Sequence, residues 1–169
     1  MSAILTVNVK SEGLMGKYLA KVRNIKTEAN VGFFTTATYP SGLPVAYVAY
    51  LNEFGNHNPP RPFMHRTFEK SHKKWANIVR VVMSKDGVSK SSARIALGRA
   101  GQDAVADIQK TIKGWSPSDP RQNKPATIRA KERKANERKP GKNQVATDPY
   151  RVLMDTSTMI DSVTSEVVE

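Results

Sequence analysis

"VAYVAYLNEFGNHNPPRPFMHRTF", residues 45–68, decides the fold. Tyr47, Tyr50, Leu51 and Phe54 fall on one helical stripe, while Val45, Val48 and Ala49 fill much of the opposite side. A helix that is apolar nearly all round is covered, either by its own core or by a neighbouring subunit. Asn52, Glu53, Phe54 and Gly55 close this run, and Pro59, Pro60 and Pro62 then fall within four residues. Proline fixes φ, so the cluster holds its flanking segments at a set angle with little chain entropy left to lose. Gly55 suits a helix end that requires φ > 0, and Pro62 suits a first helical position, where its missing N–H is not needed. The helical period resumes with Phe63, Met64, Phe68, Trp75, Ile78, Val79 and Val82, and Asp86-Gly87 ends it. The stretch therefore reads as two helices meeting at a stiff corner. Within it, Glu53 is expected to accept backbone N–H groups of the turn at 56–58 or to pair with Arg61; the bland alternative is a solvated side chain.

Toward the N-terminus, "VGFFTTATYP" (31–40) alternates, with Val31, Phe33, Thr35, Ala37 and Tyr39 on one face, and reads as a strand stopped by Pro40 and Gly42. "GLMGKYLAKVRNI" (13–25) places Leu14, Tyr18, Val22 and Ile25 on one helical face, and "ILTVNV" (4–9) reads as a strand with Leu5, Val7 and Val9 together. No run approaches the roughly 20 apolar residues of a membrane span, and 4–9 is too short for a signal peptide, so a soluble chain is expected. Toward the C-terminus, "SSARIALGRAGQDAVADIQKTIKG" (91–114) is a helix with Val105, Ile108 and Ile112 in a stripe and Gly114 as its stop. A turn or short helix at 155–160 and a strand at 162–168 close the chain. The order β-α-β-α-α-α, basic arm, β predicts one α+β domain over 1–169, with helices packed on a small antiparallel or mixed sheet.

Composition narrows the function. The chain of 169 residues carries a formal net charge of +12 and no cysteine, which excludes disulfides, thiolate catalysis and Cys-type zinc sites. Nine cations against two acids lie between residues 120 and 142, so this segment alone contributes +7. From 115 to 149 the chain mixes those cations with five prolines and few large apolar side chains. Such a stretch does not bury enough surface to offset ordering entropy of about 1–2 kcal/mol per residue, and a mobile basic arm is expected. "KPATIRAKERKANERK" (124–139) within it has helix-forming composition suited to folding on binding. Arg129, Lys131, Arg133, Lys134, Arg138, Lys139 and Lys142 are candidates for contact with DNA phosphates or an acidic partner, against the bland reading of a solvated loop. Little aromatic interleaving accompanies them, so base-specific reading is not expected.

Catalytic and metal signatures are weak. No G-x-S-x-G turn, P-loop or dinucleotide fingerprint occurs. His65, Glu69 and His72 share a helical face, but positions seven residues apart are separated by about 10 Å, and a solvated polar stripe is the expected reading. "GRAG" (98–101) imitates the GxxG clamp of KH RNA-binding domains, yet it lies inside a continuous helix, where small residues permit close packing. A non-enzymatic protein without cofactor or metal is expected.

The corner also carries a resemblance. "AYLNEFGNHNPPRPFMHRTF" resembles the signature of tail-completion, or head–tail joining, proteins of long-tailed bacteriophages, in which an apolar segment ends in Asn-Glu-(Phe/Tyr)-Gly and a short loop leads to Pro-x-Arg-Pro-Phe and a long helix. Asn52, Glu53, Phe54 and Gly55 match the first part; Pro60, Arg61, Pro62 and Phe63 match the second. "VLMDTSTMIDSV" (152–163) is similar to the family's second element, with Asp155, Thr156, Ser162 and Val163 in place, Ser157 where glycine is usual, and Ile160 offset from the apolar position. The similarity spans roughly residues 44–165 and implies a structural virion protein of the neck. Such a protein forms a ring of tail-matched symmetry around the DNA channel, docks on head-connector and tail-terminator or tail-tube proteins, and resides in the host cytoplasm before assembly. It also implies that Val45, Tyr47, Val48, Tyr50 and Leu51 are partly intersubunit. The rival reading is a sequence-independent nucleic-acid-binding protein acting through 120–142.

Overall fold

The computed structural model describes residues 14–34, 36–56, 59–115, 123–136, 153 and 157–168. The elements are α1 (Leu14–Arg23), β1 (Glu28–Phe33), α2 (Val45–Phe54), α3 (Phe63–Asp86), α4 (Lys90–Lys113), α5 (Pro125–Asn136), α6 (Thr158–Asp161) and β2 (Val163–Val168). The architecture is α+β, as the element order predicts. Among the described residues its sheet is antiparallel and two-stranded, with Glu28 opposite Val168 and Phe33 opposite Val163. None of the described helices is long and apolar enough to cross a membrane.

The long helices α3 and α4 form the frame. Thr67 meets Thr111 and Trp75 meets Asp107, so the two run antiparallel, joined by a turn at 87–89. Gly87, at φ +74, ends α3 in the left-handed region where glycine is favoured. Ser89 then caps α4, accepting from the Ser92 N–H while the Ser92 hydroxyl accepts from the Ser89 N–H.

On α4 the buried positions include a series of small residues: Ala93, Ala96, Ala100, Gly101 and Ala104. The sheet settles on this surface. A Cβ added at Gly101 would lie 3.1 Å from Ser165 Cβ and 3.8 Å from a Val31 methyl, so the "GRAG" stretch serves close packing of helix on sheet. The main core gathers Val45, Ala49, Phe63, Ile108, Ile112, Trp115, Leu153, Met159, Ile160 and Val163. Phe33 meets Phe63 edge-on at 6.0 Å, an arrangement the aromatic quadrupole favours.

Two expectations are corrected. The strand read over 31–40 begins at Glu28 and ends at Phe33, because β2 offers six residues to pair with. Beyond it the chain folds back: Val45 N–H donates to Ala37 O, Tyr39 N–H to Leu43 O and Gly42 N–H to Tyr39 O, with Gly42 at φ +83. Second, Trp115, read as the start of the basic arm, is a core residue at 3% exposure. Part of that arm is the helix α5; residues 116–122 and 137–149 lie outside the described residues, as does the strand read over 4–9. Of the apolar helix α2 the chain itself covers one side: Val45 and Ala49 are buried, whereas Tyr47, Tyr50 and Phe54 are 50%, 57% and 66% exposed.

The two glycines of α4 separate helix propensity from sheet packing. A Cβ at Gly98 meets Val167 at an ordinary 3.9 Å. Gly98→Ala is therefore expected to stabilise by up to about 1 kcal/mol in urea unfolding through helix propensity. Gly101→Val drives a branched side chain into β2 and is expected to destabilise by about 1–3 kcal/mol.

Candidate functional site

The corner between α2 and α3 is built by backbone groups that two helix ends leave unsatisfied. Gly55, at φ +77, ends α2 with its N–H donating to Leu51 O at 3.0 Å. Pro62 is the N-cap of α3, with φ −74 and ψ 71, and its carbonyl accepts from Arg66 N–H at 3.0 Å. The helix thus starts one residue later than Pro62 alone implies. A proline still suits the position, because no donor is required of it there.

A proline cap has no side-chain oxygen with which to satisfy the first turn of α3, and Glu53 supplies it from α2. Its Oε2 accepts from Met64 N–H and its Oε1 from His65 N–H, both at 2.9 Å. A carboxylate at 9% exposure thereby faces the positive end of a 24-residue helix. Glu53 does accept backbone N–H groups, and the donors among the described residues are those of α3. Helix-start donors lack intrahelical partners and point along one axis, which suits a two-oxygen acceptor. His57 and Asn58 lie outside the described residues. The buried Arg61 closes the corner from the other side, its backbone N–H donating to Asn52 O at 2.6 Å and its Nη1 contacting Asn52 Oδ1 at 3.4 Å. Asn52 Nδ2 returns to Val48 O at 2.9 Å. Phe63, fully buried, anchors the whole corner in the core.

Asn52, Glu53, Gly55, Arg61, Pro62 and Phe63 are thus brought into one locked unit, with the exposed Pro59 and Pro60 leading into it. Phe54 points outward and lies 4.9 Å from Tyr50, ring to ring. Of the five interface candidates, Val45 belongs to the chain's own core. Val48 and Leu51 are half-buried, and Tyr47 and Tyr50 are exposed. With Leu43 these aromatics give α2 an outward apolar stripe.

The remaining candidates separate. On α5, Arg129 and Arg133 are exposed whereas Lys131 is buried; Lys134 belongs to the same helix. Arg138, Lys139 and Lys142 lie outside the described residues. His65 pairs with Glu69 at 3.2 Å on an exposed face, and His72 Nδ1 turns to Phe68 O, so the solvated-stripe reading fits. Among the described residues no group of three His, Cys, Asp or Glu side chains is placed to hold a metal ion. No protein-family model, curated protein or solved structure matches the chain.

Sequence reading missed a polar clasp between α3 and α4. Lys74 Nζ lies 2.6 Å from Asp103 and 2.7 Å from Asp107, and Trp75 Nε1 donates to Asp107 Oδ2 at 2.9 Å. Only the spacing of Asp103 and Asp107, one turn apart, hinted at a common partner. Hydrogen bonding to Asp103, then Asp107, raises the Lys74 pKa above its ordinary value. At Asp107, desolvation raises the carboxyl pKa, but hydrogen bonds from Lys74, Trp75 and Ser71 prevail and lower it.

Two outcomes follow from this geometry. Glu53→Ala leaves two α3 donors without acceptors and is expected to lower unfolding free energy by about 1–3 kcal/mol in urea titration. The clasp has a pH signature. Asp107, with its folded pKa depressed, contributes stability above the unfolded carboxyl value of about 3.9, and this is lost as pH falls through the folded pKa. Lys74, with its folded pKa raised, contributes below about 10.4, and this is lost as pH rises through the folded pKa. Chemical unfolding of the native chain and Asp107→Asn should therefore differ most near neutrality and converge in acid as pH falls through the depressed Asp107 pKa.

Proposed function

We propose that this chain is a structural joining protein of a bacteriophage neck, assembling as a ring between head connector and tail around the DNA channel. The observation that carries the reading is the corner itself. The residues bearing the joining-protein signature, Asn52 to Gly55 and Pro60 to Phe63, converge on a rigid joint. That joint holds the apolar stripe of Tyr47, Tyr50 and Phe54 outward at a fixed angle. Exposed aromatics on a rigid element suit intersubunit contact, because they cover large area with few rotatable bonds to freeze. A net charge of +12 makes copies repel, so apolar contacts of this kind are what a ring of such subunits requires.

A second reading, sequence-independent nucleic-acid binding through 120–142, draws support from the exposed Arg129 and Arg133 on α5. Negative-stain images of particles assembled without this protein separate the two. Unjoined, DNA-filled heads beside free tails are expected; intact infectious particles would refute the joining role.

A further inference from the structure

At the end of the α3–α4 hairpin nearest the corner, a cleft of about 400 Å³ opens between the helices. Arg66 and Lys70 line it from α3, Lys110 and Thr111 from α4, with Ser71 and Asp107 among the remaining lining residues. Asp107, the one acid among the described lining residues, is already engaged by Lys74 Nζ and Trp75 Nε1, so its charge is largely offset. No acidic group pairs with Lys70 or Lys110 among the described residues. Arg66 packs its guanidinium 4.8 Å over the ring of Trp115, which orients the fork at the cleft. The Trp115 indole N–H beneath it is buried and has no acceptor among the described residues.

We propose that this cleft binds a phosphate group. Lys70 and Lys110, with the Arg66 guanidinium beside them, confront a ligand with a concentrated positive field, and a phosphate has oxygens enough to bridge both lysines and meet a further donor, whereas a carboxylate has two. The helix ends do not oppose it. The negative end of α4 reaches Gly114 at the cleft wall, but Lys110 and Lys113 lie in its last turn and compensate. The site lies on the folded body rather than on the segment 120–142, and it stands whether or not the chain joins heads to tails. The phosphate comes either from a nucleic-acid backbone or from a free phosphate ion, and the two sources are separable.

The test uses Lys70→Ala/Lys110→Ala, with Lys17→Ala/Lys21→Ala on α1 as a charge-matched control; all four lysines are exposed, and thermal melts check that both variants fold. Inorganic phosphate, titrated by NMR, is expected to shift the amides of residues 70 and 110 in the native chain and the control, and not in the cleft variant. For a nucleic-acid source, the salt slope of duplex binding by filter assay falls by about 2 in the cleft variant alone. Phosphate shifts with an unchanged slope assign the cleft to the free ion. Absence of phosphate shifts at the cleft, together with equal slope losses in both variants, would overturn the site and leave only bulk charge.

Discussion

Two hydrogen bonds from the start of α3 to the Glu53 carboxylate organise this molecule. Proline at the helix entry removes a donor and offers no capping oxygen, so the first turn of α3 must find its acceptor elsewhere. Because Glu53 lies in the last turn of the preceding helix, satisfying those donors also sets the angle between α2 and α3. Phe63, the first residue of α3, is driven to the centre of the core by the same geometry. The cap, the corner and the core are one constraint, and the outward stripe of α2 is its by-product: once Val45 and Ala49 are buried, Tyr47, Tyr50 and Phe54 face away.

The rest of the fold depends on α4 being thin along one side. Alanine and glycine there let the sheet approach closely and pack densely. Its paired strands β1 and β2 come from opposite ends of the described chain, Glu28–Phe33 and Val163–Val168. The sheet therefore closes the whole domain, and its pairing carries a large loop-closure cost that the α3–α4 hairpin does not. The hairpin is the local, self-supporting unit, clasped by Lys74 with Asp103 and Asp107.

Charge is distributed more widely than composition suggests. The segment 120–142 holds over half of the net charge, yet Lys131 within it is buried while Arg129 and Arg133 face outward. A second basic locus arises where α3 and α4 converge, from Arg66, Lys70 and Lys110. Lys110 is 40 residues beyond Lys70 in sequence, and no linear charge run marks the place.

Much was legible beforehand. Periodicity located α3 and α4 to within a residue or so, and the proline cluster with Gly55 and Glu53 announced a rigid corner, because φ restriction and helix-end donors are properties of local chain chemistry. The role of "GRAG" as a packing surface was likewise local, since a glycine pair inside a continuous helix has few other uses. What tertiary structure alone decided was which groups meet. Glu53 found donors in the first turn of α3, whose amides lack intrahelical partners. Trp115 entered the core despite its basic surroundings, since burial answers to neighbours in space and not in sequence. The strand after Val31 stopped at Phe33, where its partner ran out, although its alternation continued to Tyr39. Local sequence sets what each segment can form; long-range pairing and packing set where it ends and what it touches.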